Sequence, residues 1–326
     1  HLRKRRGEIL KGFPIQEIES LTHLVTHANC SDGLASAMIF RVVKPSIKVT
    51  FVNYKSKELA ELQPEPGMVF CDFCPPFDRL REFVNVGAYC LDHHKEAKDD
   101  ILAFGERGIF ADENLQPGVS GAVLAYDHIF EPWFKGATGN TLVQDFATKV
   151  GVRDTWVRNS PLWEASQEQH QLLSFFPYQA WLGEEGSIPI IPPSVPNITI
   201  GQVLHERSLK SVKSAIAKAQ FIEVLGRKFC IMASLATSDV AEELDGQVDA
   251  VFGFAYDVGP EGKIQMRISL RSHSDLNVGA LAKKRFGGGG HTRASGLEIQ
   301  VSPEDLNPYS VIGKIIQEWG ASGFEV

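Results

Sequence analysis

Aspartate and histidine recur in the first third of the sequence at the ends of short apolar runs. One such residue alone predicts little, because an aspartate after a strand is usually a helix N-cap. Recurrence at three strand ends favours one pocket of carboxylates and imidazoles, which are ligands of hard and borderline divalent cations. Without a cation, such groups would repel one another or lose hydration. The residues are His27 with Asp32, Asp72, and Asp92-His93-His94.

A second chemical signature lies near residue 290. Four consecutive glycines at 287–290 are followed by His291 and Arg293. Glycine leaves the backbone N–H groups open to close approach by an anion, and the two neighbouring side chains would add positive charge for a phosphate. The glycines alone would predict a flexible hairpin loop. The adjoining basic residues favour an anion-binding site.

The segments around the first signature alternate between strand and helix patterns. Such alternation predicts a mostly parallel sheet with helices on both faces. Ligands of parallel sheets gather at the carboxyl ends of the strands, which is where the aspartates and histidines stand. The predicted strands are 22–26, 48–52, 68–73 and 87–91, and the predicted helices are 33–43, 56–62, 78–83, 120–129, 142–150 and 164–175.

The second half of the chain predicts a smaller α/β domain. Between the halves, residues 186–197 contain four prolines in twelve residues. Proline at this density predicts a linker or surface loop. We therefore predict a first domain over 1–190, a linker and connecting helix over 191–222, and a second domain over 223–326. The predicted elements after the linker are helices at 201–221, 278–284 and 303–319 and strands at 221–224, 228–233, 248–256 and 263–270.

Length, charge and cysteine content restrict the class of protein. A chain of 326 residues allows two domains, and a formal net charge of −7 gives no global field that attracts nucleic acid. A nucleic-acid substrate would therefore need a local basic groove. No apolar run approaches the roughly 20 residues that cross a bilayer. Five cysteines are too sparse for a disulfide framework, so we expect a cytoplasmic protein without a membrane contact.

The motifs together resemble the DHH phosphoesterase family, which is named for a tripeptide like the one at 92–94. The resemblance covers nearly the whole chain, and two independent motif sets occur in the family's order. In the first domain the similar segments are His27-Ala-Asn29-Cys30-Ser-Asp32-Gly33, Asp72, Asp92-His93-His94, Ser120-Gly121-Ala122 and Arg153-Asp154-Thr155-Trp156. In the second domain, Arg271-Ser272 and Gly288-Gly289-Gly290-His291 resemble the DHHA1 domain that usually follows a DHH domain.

The resemblance implies a role for each matched residue. One metal ion would be held by His27 and Asp72, and a second by Asp32, Asp72, His93 and Asp154, with Asp72 bridging. The catalytic pair would be His94, facing the substrate phosphate, and Asp92, orienting the histidines. The DHHA1 domain would bind the far end of the substrate through Arg271, Ser272, Gly288, Gly289, Gly290 and His291.

Cys30 departs from the family pattern, because it stands where most members have the first aspartate of an Asp-x-Asp pair. A thiolate is softer than a carboxylate and favours Zn²⁺ or Fe²⁺ over Mn²⁺ or Mg²⁺. Three interpretations stay open: a different metal at the first site, a weak first site filled with substrate, or one metal with Cys30 as a packing residue. Two Mn²⁺ ions are the first expectation, with Mg²⁺, Zn²⁺ or Fe²⁺ as alternatives.

The function that the resemblance implies is metal-dependent hydrolysis of short nucleotides, such as dinucleotides, nanoRNA or pAp-like bisphosphates, by metal-activated water. A RecJ-like single-strand exonuclease is the alternative within enzymes, and the acidic balance of the chain opposes it. A nucleotide sensor with weakened catalysis is the alternative outside enzymes. The expected partner is the nucleotide substrate, together with a second copy of the chain in a homodimer.

Overall fold

The computed structural model describes residues 12–54, 56–135, 140–189, 191, 195–258, 263–302 and 306–325, with the side chains of 195–198 and 291 outside the description. The chain divides between His205 and Glu206 into two compact units. Among the described residues, no helix combines the length and apolar character that crossing a membrane requires.

The first unit is built on a parallel sheet of five strands in the order β2-β1-β3-β4-β5. All four predicted strands are present within a few residues of their predicted bounds. The fifth strand was missed, because a run of three residues is too short to show a periodic pattern. The strands are β1 (His23–His27), β2 (Lys48–Val52), β3 (Met68–Cys71), β4 (Tyr89–Asp92) and β5 (Gly108–Phe110).

Helices cover both faces of this sheet, as the near-continuous apolar strands require. One apolar cluster includes Leu34, Phe40 and Phe146, and a second cluster includes Phe70 and Phe83. The helices are α1 (Ile15–Ser20), α2 (Ser31–Val43), α3 (Lys57–Glu61), α4 (Phe77–Asn85), α5 (Lys98–Leu102), α6 (Gly121–Ala125), α7 (Glu131–Trp133), α8 (Asn140–Asp154), α9 (Trp163–Phe175) and α10 (Tyr178–Leu182).

Helix α11 (Val195–Ala217) begins inside the proline-rich stretch, where the sequence predicted no helix. Pro196 lies in its first turn, where a residue without an N–H group loses no intrahelical hydrogen bond. The prediction was wrong because it counted prolines without their positions. Pro192 and Pro193 lie outside the described residues.

The second unit contains a mixed sheet in the order β10-β11-β9-β8-β7-β6, in which only the β7–β8 pair is parallel. Its strands are β6 (Gln220–Val224), β7 (Arg227–Met232), β8 (Ala250–Val258), β9 (Ile264–Ser272), β10 (Gly289–His291) and β11 (Ala294–Gln300). Its helices after α11 are α12 (Thr237–Glu243), α13 (Val278–Phe286) and α14 (Pro308–Ala321).

The sequence pattern did not predict two features of this unit. The glycine run is not wholly a loop, because residues 289–291 form β10 and pair with β11 as a hairpin. A strand of glycines carries no alternation of polar and apolar side chains, so its period of two is invisible. Helix α12 was also missed, because its seven residues are too few to establish a helical period.

Candidate metal centre

The predicted ligands converge at the carboxyl edge of the first sheet, as expected for a parallel sheet. His27 is the last residue of β1, Asp72 follows β3 directly, and Asp92 ends β4. These three strands are neighbours in the order β1-β3-β4. Asp154, the last residue of α8, reaches the same pocket from a helix.

His93 stands among three carboxylates in this pocket. Its Nε2 atom lies 3.4 Å from Oδ1 of Asp72, 3.4 Å from Oδ2 of Asp154 and 3.7 Å from Oδ2 of Asp32. Burial alone would lower the pKa of His93, but Asp154, Asp32 and Asp92 raise it above its ordinary value. A divalent cation would replace the proton that these carboxylates otherwise attract.

Potential ligand atoms fall into three groups, each with its atoms within 4.8 Å of one another. Asp72 belongs to two of the groups, and so does His93. Shared ligands of this kind are what a pocket for two neighbouring cations requires. The groups are His27, Cys30 and Asp72; Asp32, His93 and Asp154; and Asp72, Asp92, His93 and His94.

Asp72 carries the strongest indication of a metal. Its side chain is 1% exposed, and its Oδ2 atom has no hydrogen-bond partner among the described residues. Burial, together with Asp32 and Asp154, raises the pKa of Asp72 well above its ordinary value. A buried, unpartnered carboxylate is unfavourable unless a cation compensates it. The residues therefore fit a divalent metal by their donor types and by the unpartnered oxygen.

Asp32 is held by the amino terminus of α6. Its Oδ1 atom accepts hydrogen bonds from the Ser120 hydroxyl and the Ala122 N–H, both at 2.8 Å, and Oδ2 accepts from the Gly121 N–H at 2.6 Å. A carboxylate oxygen has about two lone-pair sites, so Oδ1 is saturated. Oδ2 keeps one site, and it is the oxygen that faces His93. A Cβ on Gly121 would lie 2.4 Å from the Asp72 Cβ, so glycine is required there.

Asp92 orients the histidine pair through its Oδ1 atom, and a carboxylate oxygen of Asp92 also lies within 4.8 Å of one of Asp72. The Asp92 Oδ1 atom accepts from the N–H groups of His93 at 2.8 Å and His94 at 3.3 Å, and it lies 2.6 Å from the His94 Nδ1. Burial would lower the pKa of His94, but Asp92 raises it. The His94 side chain is 26% exposed and that of His93 is 4% exposed. His94 is thus the histidine placed to meet a ligand from outside.

The loop between β1 and α2 is fixed by a residue that the sequence analysis missed. The Tyr178 hydroxyl accepts a hydrogen bond from the Cys30 N–H at 2.8 Å and donates one to the Cys30 carbonyl at 3.2 Å. The Tyr178 ring packs on Phe51 with a centroid distance of 4.3 Å. Burial and the nearby Asp72 raise the pKa of the Cys30 thiol. No motif marks Tyr178, because its role arises from contacts distant in sequence.

Three of the five described non-glycine residues with positive φ lie at the pocket or beside it. Asn29, Asp72 and Trp156 are non-glycine residues with φ of 56°, 57° and 56°. The left-handed conformation costs an L-residue roughly 1–2 kcal/mol, and non-glycine residues keep it mainly at functional sites. Trp156 occupies the position after a helix where glycine is usual, as the hydrogen bond from the Val157 N–H to the Val152 carbonyl indicates.

Two arginine side chains also lie over the Trp156 ring, close in sequence to Asp154. The guanidinium carbon of Arg153 lies 4.4 Å from the Trp156 ring centroid, and that of Arg158 lies 5.4 Å away. Trp163 packs against the same ring at 5.8 Å. In the sequence, Trp156 is marked only as the last residue of the segment Arg153-Asp154-Thr155-Trp156. Two arginine charges next to the acidic pocket would favour an anionic ligand.

In the second unit, the predicted contacts Arg271 and Ser272 are bound within the protein. The Arg271 Nε donates to the Ser238 hydroxyl at 2.9 Å, and the Arg271 Nη1 donates to the Leu270 carbonyl at 2.8 Å. Ser272 is fully buried, and its hydroxyl donates to the Asp249 carbonyl at 3.0 Å. A substrate contact by the Ser272 side chain would have to replace this bond.

The glycines at 288–290 differ in the space available for a side chain. A Cβ at Gly288 would lie 2.3 Å from the Gly296 carbonyl oxygen, and one at Gly290 would lie 2.4 Å from the Ala294 oxygen. At Gly289 a Cβ would meet nothing within 4 Å. Packing against β11 therefore explains two of the glycines, whereas Gly289 faces open space and suits an anion. Across β11, His291 and Arg271 both pair with Ala294; the His291 side chain lies outside the description.

Comparison with known proteins agrees with this architecture. No protein-family model matches the chain. An uncharacterized protein of Acanthamoeba polyphaga mimivirus is 23% identical over 296 residues, which span 83% of this chain and 66% of that protein.

Solved structures share the fold at low identity. The DHH domain of a member of the s1p family of ribosomal proteins has a TM-score of 0.55 at 12% identity, covering 93% of this chain and 88% of that one. An exopolyphosphatase-related protein from Bacteroides fragilis has a TM-score of 0.52 at 13% identity, covering 95% and 96%. RecJ from Thermus thermophilus in complex with Mn²⁺ has a TM-score of 0.51 at 14% identity, covering 94% and 53%. The chain thus has the fold of DHH proteins, which confirms the predicted fold class.

Proposed function

We propose that the chain is a metal-dependent phosphoesterase of the DHH type that hydrolyses phosphodiester bonds in short nucleotides. The observation that carries this proposal is Asp72, a buried carboxylate with an unpartnered oxygen, surrounded by histidines and further carboxylates. Such a cluster is unstable by itself and is stabilised by divalent cations. The DHH fold and the Mn²⁺ complex of RecJ support a metal in this pocket.

Each residue of the pocket has a task in this proposal. His27 and Asp72 hold one cation, and Asp32, His93 and Asp154 hold the other together with Asp72. When bound, the two cations would neutralise phosphate charge and lower the pKa of a water molecule. His94, whose pKa Asp92 raises, would as an imidazolium donate its Nε2–H to a phosphoryl oxygen and stabilise the charge that develops there. Asp92 acts as a positioning residue.

Positive charge near the pocket supports a phosphate-bearing substrate. Arg153 and Arg158 flank Trp156 beside Asp154, although the formal charge of the chain is −7. Local charge of this kind suits a short anion better than a long single strand, which needs an extended basic channel. In the second unit, a second phosphate or a base would bind at Gly289 and at Arg271 and His291, which both pair with Ala294. Ser272 and the backbone at 288 and 290 would shape that site.

The test is a panel of 5′-phosphorylated oligonucleotides of increasing length, each incubated with the purified chain and Mn²⁺, Mg²⁺, Zn²⁺ or Fe²⁺. We expect turnover to fall sharply beyond two or three nucleotides. Turnover that rises with length would favour the RecJ-like exonuclease, and tight binding without hydrolysis would favour the nucleotide sensor. His93→Ala serves as the metal-site control, because any activity that survives it comes from a contaminant or another site. A cytoplasmic location and a homodimer stay predictions.

A further inference from the structure

The pocket offers two ligand groups of different chemical softness. One group combines an imidazole, a thiol and a carboxylate from His27, Cys30 and Asp72, and the other combines an imidazole with the carboxylates of Asp32 and Asp154. We infer that the two positions take different metals: a thiolate-bound cation of the Zn²⁺, Fe²⁺ or Co²⁺ type beside Cys30, and Mn²⁺ or Mg²⁺ beside Asp32. The inference deepens the proposed function, since it rests on the same pocket holding two cations.

Cys30 differs from the other cysteines in its surroundings. Cys71, Cys74, Cys90 and Cys230 are all buried members of apolar clusters. Cys30 is half-buried, belongs to none of the apolar clusters of the described residues, and places its sulfur near His27 and Asp72. A cysteine that only packed would lie among apolar side chains, as the other four do. The position of Cys30 therefore argues for a ligand.

The backbone that carries Cys30 is held in place before any metal arrives. The Tyr178 hydroxyl binds both the N–H and the carbonyl of Cys30. Asn29 precedes it in the left-handed conformation, and Asp72 adopts the same conformation across the pocket. A preorganised loop of this kind keeps the sulfur at the pocket and reduces the entropy that metal binding would otherwise remove.

The three ligand atoms lie close enough together to share one cation. Bond lengths of about 2.0–2.3 Å to nitrogen, oxygen and sulfur place tetrahedral ligand atoms about 3.5 Å apart, and the three atoms here lie within 4.8 Å of one another. Asp72 retains an unpartnered, buried Oδ2 for such a bond. Three protein ligands leave a fourth position for water or substrate, which is the arrangement of catalytic zinc sites.

The other position contains only hard and borderline donors. Asp32 contributes its one remaining acceptor site on Oδ2, Asp154 contributes Oδ2, and His93 contributes Nε2. Oxygen-rich sets with one imidazole suit Mn²⁺ or Mg²⁺. Replacing the first aspartate of the family pattern by Cys30 thus alters one position of the pair and leaves the other unchanged.

Cobalt absorption tests the inference without any substrate. The purified chain, stripped with a chelator, is titrated with Co²⁺, and a thiolate-to-cobalt charge-transfer band in the near ultraviolet is expected in the wild type. Cys30→Ser should abolish this band. Cys74→Ala, which removes a buried cysteine two residues from Asp72, should retain it. Loading the stripped chain with one equivalent of Zn²⁺ and then with excess Mn²⁺, followed by elemental analysis, should return about one of each ion per chain.

Cys30→Asp provides a second variant that restores the carboxylate of the family pattern. We expect it to bind two cations without the charge-transfer band, and to prefer Mn²⁺ over Zn²⁺ by at least about tenfold more than the wild type does at this position. Absence of the band in the Co²⁺-loaded wild type, its survival in Cys30→Ser, or the failure of the stripped chain to bind Co²⁺ would overturn the inference. A wild type that shows the band but cleaves no phosphodiester would overturn only the proposed function.

Discussion

The two places where the chain gathers polar residues differ in how those residues are bonded. In the first unit, the pocket around Asp72 holds buried polar atoms that have no partner in the part of the chain that the structure describes, and Asp72 itself has a left-handed backbone conformation. In the second unit, Arg271 and Ser272 are bonded to neighbouring groups of the protein. On the proposed function, the first arrangement is completed by a bound cation, whereas Arg271 and Ser272 already have partners within the protein. Substitution of the pocket residues should therefore affect chemistry, whereas substitution of the bonded residue Ser272 should affect folding.

The sharpest test of this contrast is Asp72→Asn. We expect kcat/KM to fall by more than about 100-fold. Loss of a residue that only supports a metal ligand lowers activity by up to about 100-fold, and Asp72 would itself be a ligand. The metal-free protein should melt at the same or a higher temperature, because a neutral amide removes a buried charge beside Asp32 and Asp154, and asparagine tolerates the left-handed backbone. Turnover assays and thermal melts in chelator measure both. Asp78→Asn, on the exposed face of α4, is the matched control and should change neither quantity.

Asp92→Asn should have the next largest effect. The variant keeps the shape of the side chain but loses the charge that orients His94, so we expect kcat to fall roughly 10–100-fold with a smaller change in KM. Bound metal, measured after dialysis, should stay near the wild-type amount, because Asp92 points at the histidine backbone and at His94. Loss of one metal equivalent would instead show that Asp92 acts as a ligand.

The neighbouring substitutions Gly288→Ala and Gly289→Ala separate folding from binding within the second unit. Gly288→Ala should lower the free energy of unfolding by about 1–3 kcal/mol, because its Cβ would collide with the Gly296 carbonyl. Gly289→Ala should leave stability within about 0.5 kcal/mol and raise KM for a dinucleotide about tenfold by obstructing the backbone. Urea unfolding and steady-state kinetics provide the two readings. An unchanged KM in Gly289→Ala would remove the glycine run from the substrate site.

Ser272→Ala should have the smallest effect. Loss of the hydrogen bond to the Asp249 carbonyl should reduce the free energy of unfolding by about 1 kcal/mol, while kcat/KM for a dinucleotide stays within about twofold. Ser214→Ala on the exposed side of α11 is the control and should be neutral. Weaker substrate binding at full stability would instead support the substrate contact that the sequence predicted for Ser272.

The sequence predicted the parts of the molecule that depend on local pattern. Short apolar runs marked four of the five strands of the first sheet, and the geometry of parallel sheets then brought His27, Asp72 and Asp92 to one edge. The length of a run limits this reasoning, which is why the three residues of β5 and the glycines of β10 were missed. The error at Pro196 is of a different kind. The number of prolines predicted a loop, but Pro196 lies in the first turn of α11, where a proline is tolerated.

The bonding within the pocket was beyond prediction from local pattern. The hydrogen bonds from α6 to Asp32 join residues about ninety positions apart, and the sequence marked Ser120-Gly121-Ala122 only as a segment that resembles the DHH family. The left-handed Trp156 stands where glycine is the usual choice, so no propensity marks that helix end. Only tertiary packing reveals which oxygen of Asp32 is saturated and which still faces the pocket.

The Tyr178 tether has a consequence for the order of events during protein synthesis. Cys30 and Tyr178 are 148 residues apart, which at about 5–20 residues per second corresponds to roughly 7–30 s of translation. During that interval Cys30 has emerged from the ribosome without the hydroxyl that fixes its backbone. We therefore expect stable metal capture at Cys30 to follow the emergence of Tyr178, and metal retained by ribosome-bound chains of graded length would measure that delay.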